Sequence, residues 1–131
     1  MPHLVILYTG QLDAEVNMTD LCRQMADAML TVKDDEDKPV FPAGGTRVLA
    51  YPAPHYAVAD GGAAGKAAGG TGDYAFVYLN VRMGRGRSEA TQQRAGQTLL
   101  EVAKAFFAPV MAQRHIGITL QIDVGPEVFD A

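Results

Sequence analysis

Residues 4–8 (LVILY) form a short apolar run of strand formers, closed by Gly10. Leu21, Met25, Ala28, Met29 and Val32 then recur at helical spacing. That spacing predicts a helix over residues 20–30 with one face on a sheet, and Asn17 or Thr19 can cap it. Pro39, Pro42, Gly44 and Gly45 punctuate the next turn, and residues 46–51 (TRVLAY) read as a second strand. The order then repeats. Residues 74–81 are an apolar strand, and residues 89–111 a long helix with Ala95, Leu99, Val102, Phe106 and Val110 along one stripe. Gln92, Gln93, Gln97, Glu101 and Lys104 face outward from that helix. In residues 116–124, Ile116, Ile118, Leu120, Ile122 and Val124 alternate with Gly117, Thr119, Gln121 and Asp123, the pattern of a half-buried strand.

Strand, helix, strand, written twice, predicts an α+β two-layer domain over residues 1–131. Its two β-α-β halves span roughly residues 2–52 and 73–124. They build one four-stranded mixed sheet with both helices on one face, and each crossover is right-handed. The glycine- and alanine-rich residues 53–72 read as a flexible linker between the halves. The first and third strands, however, are apolar on both sides. Two helices cover only one face of the sheet, so the other is left apolar unless further subunits bury it. A homo-oligomer is therefore expected.

Candidate chemistry gathers in residues 73–88 (DYAFVYLNVRMGRGRS), where a strand runs into a glycine-bracketed pair of arginines and Ser88 opens the long helix. A helix N-terminus offers free N–H groups and the positive end of its dipole, and Arg85 and Arg87 add forks suited to carboxylate or phosphate. An anion-binding corner and a plain turn with two solvated arginines both fit this stretch. Pro2 is a second landmark. If Met1 is trimmed, its nitrogen is a secondary amine, and a dry pocket with nearby arginines (Arg47, Arg85 and Arg87 are candidates) lowers its pKa toward that of a general base. The alternative is a proline that only starts a strand.

Other features carry less. The run 34–37 (DDED) lacks the glycine and spacing of a calcium loop and reads as a solvated loop. Lys66 is followed by Ala67 rather than Ser or Thr, which excludes a phosphate loop, and Glu89 stands where a dinucleotide fingerprint needs its third glycine. His3, His55 and His115 show no metal-ligand spacing, and no serine sits in a nucleophile elbow. Cys22 is the single cysteine, so no internal disulfide can form; it reads as a core residue and points to a reducing cytoplasm. A net charge of −4 argues against a nucleic-acid partner. No stretch is long and apolar enough to span a membrane, and no signal peptide is expected.

With these pieces assembled, the sequence resembles the 5-carboxymethyl-2-hydroxymuconate delta-isomerase family, of the tautomerase superfamily that includes 4-oxalocrotonate tautomerase and macrophage migration inhibitory factor. The resemblance rests on Met1-Pro2-His3, Phe41-Pro42 with Gly45 and Arg47, Ala59-Asp60-Gly61, residues 73–77 (DYAFV) and Gly84-x-Gly86-Arg87-Ser88. Gln93, Ala95-Gly96, Glu101, Lys104 and Phe107 along the long helix complete it. It implies a tautomerase fold assembled as a homotrimer, acting on a small polycarboxylate without metal or organic cofactor. It implies that Pro2 shuttles the proton and that Arg47 and Arg87 bind carboxylates; Arg85 falls at a variable position and carries less weight. The segments 33–38 and 62–72 depart from the family pattern and touch the question of substrate. A related tautomerase acting on another unsaturated or halogenated acid, an idle trimeric binding protein, and a simple anion-binding module are the alternatives.

Overall fold

The structure, a computed structural model, describes residues 3–70, 72–125 and 127–131. Its sheet has four strands: β1 (His3–Thr9), β2 (Arg47–Ala53), β3 (Ala75–Met83) and β4 (Ile116–Val124). They lie in the order β2-β1-β3-β4. β1 pairs in parallel with β2, β3 in parallel with β4, and β1 runs antiparallel to β3 at the centre. Each parallel pair is bridged by a long helix, α1 (Met18–Thr31) in the first half and α3 (Glu89–Met111) in the second. The two helices also touch each other.

Local chemistry sets the helix starts. The Asn17 side chain accepts the Asp20 N–H at 3.1 Å, so α1 begins at Met18, two residues ahead of the expected start. Ser88 caps α3 through the Thr91 N–H at 3.1 Å. β2 runs on to Ala53 because its register with β1 continues to Thr9, and Pro52 is tolerated there because β2 is an edge strand. Leu21, Met25, Ala28, Met29 and Val32 are buried as the spacing predicts. In α3 the buried line is Thr91, Ala95, Leu99, Ala103 and Phe107, whereas Val102, Phe106 and Val110 are partly buried at its margin. The buried stripe turns on residues four apart.

Residues 53–72 are not wholly a linker. The Asp60 carboxylate accepts the N–H groups of Gly62 and Ala64, both at 2.9 Å, and a short helix α2 (Ala63–Ala67) follows. Gly10–Ala14 forms a 3-10 turn that seats Leu12 in the core. Cys22 is half-buried beside Tyr8, and burial pushes its thiol pKa up, away from nucleophile behaviour.

The two faces of the sheet differ sharply. Leu4, Ile6, Val77, Leu79 and Val81 lie fully buried beneath the helices. On the opposite face Leu7 (46% exposed), Leu49 (48%), Tyr51 (51%) and Phe76 (37%) lie open. Tyr51, Leu7 and Tyr78 form one cross-strand row, and Leu49, Val5 and Asn80 the next.

Candidate active site

Antiparallel pairing of β1 and β3 decides what meets what. It sets the start of β1 beside the end of β3, with His3 opposite Arg82. On its other side His3 pairs with Arg47. The turn of residues 84–87 leaves β3 at this same end and leads into α3. Gly86 takes a φ of 94°, a left-handed conformation that favours glycine.

Two clefts flank the turn and share Met83 and Gly84. One, of about 390 Å³, is lined by Val40, Pro42, Gly86 and both turn arginines. The other, of about 370 Å³, is lined by His3, Arg82, Asp123, Gly125 and Val128. Pro2, the expected base, lies outside the described residues; it directly precedes His3 in the chain.

The three arginines are held differently. Arg87 donates from Nη1 to Asp34 Oδ2 at 3.4 Å and from Nη2 to the Val40 carbonyl at 3.2 Å. Arg85 reaches the other way, donating to the Gly125 carbonyl at 3.2 Å and pairing with Glu127 at 3.3 Å, so it ties the C-terminal segment to the turn. Arg47 is exposed; among the described residues its side chain makes a long 3.5 Å hydrogen bond to the Gly45 carbonyl and no ion pair. Side-chain alternation puts it beside His3 on the open face of the sheet.

The acidic loop is exposed at Asp35, Glu36 and Asp37, as its composition suggests, but it is also tied down. Lys33 and Pro39 form an isolated bridge that folds it back on itself. Asp35 accepts from the Ser88 hydroxyl at 2.6 Å and from Arg94 at 3.1 Å, while Arg94 also binds the Lys33 carbonyl. Asp34 uses Oδ1 for the N–H groups of Glu36 and Lys38, at 2.8 and 2.9 Å. Two carboxylates thus already stand at the positive pole of α3, so the anion corner is partly filled from within the chain. The Lys38 N–H, then the Glu36 N–H and Arg87, hold the Asp34 carboxyl below its ordinary range. Ser88 and then Arg94 do the same for Asp35.

A polar network missed from the sequence fills the neighbouring open face. Arg82 donates to Asn80 Oδ1 at 2.8 Å, and Asn80 donates to Asp123 Oδ2 at 3.0 Å. Gln121 donates to Asp123 Oδ1 at 2.9 Å, so hydrogen bonds from Gln121 and Asn80 keep the Asp123 carboxyl low. The signal available was the polar alternation of Gln121 and Asp123, but their partners lie some forty residues away on β3. His3 Nδ1 is buried there and has no hydrogen-bond partner among the described residues.

The family model described as 5-carboxymethyl-2-hydroxymuconate isomerase matches residues 2–130. The chain belongs to that isomerase family. A curated relative from Escherichia coli, 5-carboxymethyl-2-hydroxymuconate Delta-isomerase, is 25% identical over 123 residues, covering 94% of this chain and 86% of the relative. A crystal structure of a 5-carboxymethyl-2-hydroxymuconate delta-isomerase is 66% identical, with a TM-score of 0.95 over 100% of this chain and 87% of the other. A 5-carboxymethyl-2-hydroxymuconate isomerase from Deinococcus radiodurans R1 is 30% identical, with a TM-score of 0.75 over 95% and 83%. The tautomerase fold expected for this isomerase family is the fold observed. Among the described residues no group of three or more His, Cys, Asp or Glu could hold a metal ion, and no helix is long and apolar enough to cross a membrane.

Proposed function

We propose that this isomerase acts on 5-carboxymethyl-2-hydroxymuconate, moving a double bond with the Pro2 nitrogen as general base. The carrying observation is the β1–β3 pairing, which puts His3, the residue after Pro2, at the same end of the sheet as Arg47 and the Arg87 turn. Pro2 takes the proton from the hydroxyl oxygen of the dienol, or from the carbon between the carbonyl and the double bond of the β,γ-unsaturated α-keto acid, and returns it to a carbon further along the conjugated chain, so that the double bond moves. Arg87 and Arg47 hold carboxylates and stabilise the negative charge that develops. The substrate's own carbonyl is the electron sink, so the step needs no cofactor. A positioned acid–base group contributes about 10²–10⁴-fold to rate. Such a reaction belongs to the cytoplasmic breakdown of aromatic acids (homoprotocatechuate).

The reading includes a homotrimer. Burying Leu7, Leu49, Tyr51 and Phe76 against neighbouring copies is worth roughly 1.5–3 kcal/mol per fully covered side chain, enough to drive assembly. Because Arg47 lies on that open face, assembly sets it at a subunit boundary, where it serves a shared site. Light scattering at three times the 14.0 kDa chain mass tests the trimer.

The test of function is ultraviolet-monitored isomerisation of 5-carboxymethyl-2-hydroxymuconate by protein whose intact mass shows Met1 removed. Conversion that collapses in Pro2→Ala supports the reading. Absence of conversion with Pro2 free transfers it to a tautomerase acting on another unsaturated or halogenated acid.

A further inference from the structure

Arg87 is the one turn arginine that is half-enclosed, and what encloses it is the acidic loop. Its guanidinium has two anchors: Asp34 Oδ2 through Nη1 and the Val40 carbonyl through Nη2. Both anchors belong to residues 34–40, and Val40 is itself buried. Asp34 is not a mobile carboxylate. Its Oδ1 is fixed by two backbone N–H groups of its own loop, and its N–H donates to the Lys38 carbonyl at 2.8 Å. That leaves Oδ2 presented at a fixed place. The loop in turn is bolted to α3 by Asp35 on Ser88 and by Arg94 on the Lys33 carbonyl. Among the described residues the Arg87 side chain makes no other hydrogen bond (its carbonyl accepts from Gln92), so its remaining guanidinium N–H groups are left for the cleft it lines.

We propose that Asp34 is a positioning residue for the isomerisation: it fixes the Arg87 guanidinium so that the free side of the fork meets a substrate carboxylate. The effect on substrate rests on the reading of Arg87 given above; the orientation of Arg87 does not. A rigid fork costs less to immobilise when the substrate binds, so the gain falls on affinity. The carboxylate also offsets part of the charge of Arg87, which disfavours small anions that offer one contact instead of two.

Asp34→Asn is the sharp variant. It keeps the oxygen that accepts from Glu36 and Lys38 but replaces Oδ2 with an N–H donor facing Arg87. The pair is partly exposed, so KM for 5-carboxymethyl-2-hydroxymuconate rises about five-fold while kcat stays within about two-fold. In an Arg87→Ala background the same substitution adds nothing to KM. An unchanged KM in Asp34→Asn, or an equal loss in both backgrounds, overturns the proposal, because a merely structural loop costs the same whether or not Arg87 is present. If Arg87→Ala itself leaves kinetics untouched, the role of Arg87 fails instead.

A readout free of turnover accompanies this. In ¹H–¹⁵N spectra of arginine side chains, Arg87 (assigned by its loss in Arg87→Lys) shows separate, slowly rotating Nη–H signals in the wild type, and these merge in Asp34→Asn. Free rotation of Arg87 in the wild type, or signals unaltered in the variant, overturns the positioning claim whatever the substrate. If Asp34→Asn folds poorly, Asp34→Ser, whose hydroxyl still accepts from the Glu36 N–H, carries the same comparison.

Discussion

Arg87 and Arg47 stand at the same end of one sheet and are held in opposite ways. Arg87 is clasped from within the chain, by Asp34 and the Val40 carbonyl. Arg47 is exposed beside His3, without an ion pair among the described residues, on a face that exposes Leu7, Leu49 and Tyr51. One arginine is oriented before any partner arrives. The other stands on the open face that the trimer we propose would cover. The site we propose is therefore half pre-built and half dependent on assembly.

Assembly is where the contrast breaks most completely. Leu7→Glu puts a charge at the centre of the open face, and an unpaired buried charge costs several kcal/mol. The expected outcome is a monomer by light scattering, with activity lost although the circular dichroism of the fold remains. Arg87→Ala comes next: losing one half of a carboxylate clamp lowers kcat/KM by about 10²-fold while the fold is kept. Arg47→Ala should cost about ten-fold, and unlike Arg87→Ala it should also change how readily the assembly dissociates on dilution.

Smaller effects sharpen the clasped side. Ser88→Ala removes the cap of α3 and a hydroxyl that Asp35 accepts, a loss of about 1 kcal/mol, seen as a few degrees in Tm. The Asp34 and Asp35 carboxyls both sit below their ordinary value of 3.8. Depressed folded-state values mean that the stability they contribute is present above that pH and is lost as pH falls through the lower folded values. Acid unfolding in Asp35→Asn should show a shallower dependence on pH below 3.8 than the wild type, and a dependence of equal steepness contradicts the docked loop.

The same division marks what could be read from the chain. Local, periodic features were legible: the buried positions of α1, the Ser88 cap and the alternation of β4 all follow from neighbours in sequence. The open apolar face was legible too, because residues 4–8 and 74–79 are apolar at both parities. The acidic loop reads rightly as exposed, but its ties to α3 were not legible, because Ser88, Thr91 and Arg94 lie more than fifty residues on. The network of Arg82, Asn80 and Asp123 was missed for the same reason, since the β3–β4 register is what brings Asp123 to the Asn80–Arg82 pair. In the glycine- and alanine-rich segment, composition spoke for flexibility, while the single Asp60 side chain capping two N–H groups decided for a helical turn.

The most direct test of the central claim compares wild type and Pro2→Ala in the ultraviolet assay with 5-carboxymethyl-2-hydroxymuconate, on proteins whose intact masses show Met1 absent. A proline-based isomerase predicts rapid conversion by the wild type and a fall of at least about 10²-fold in Pro2→Ala, with the oligomer intact. Equal rates in the two proteins would contradict it.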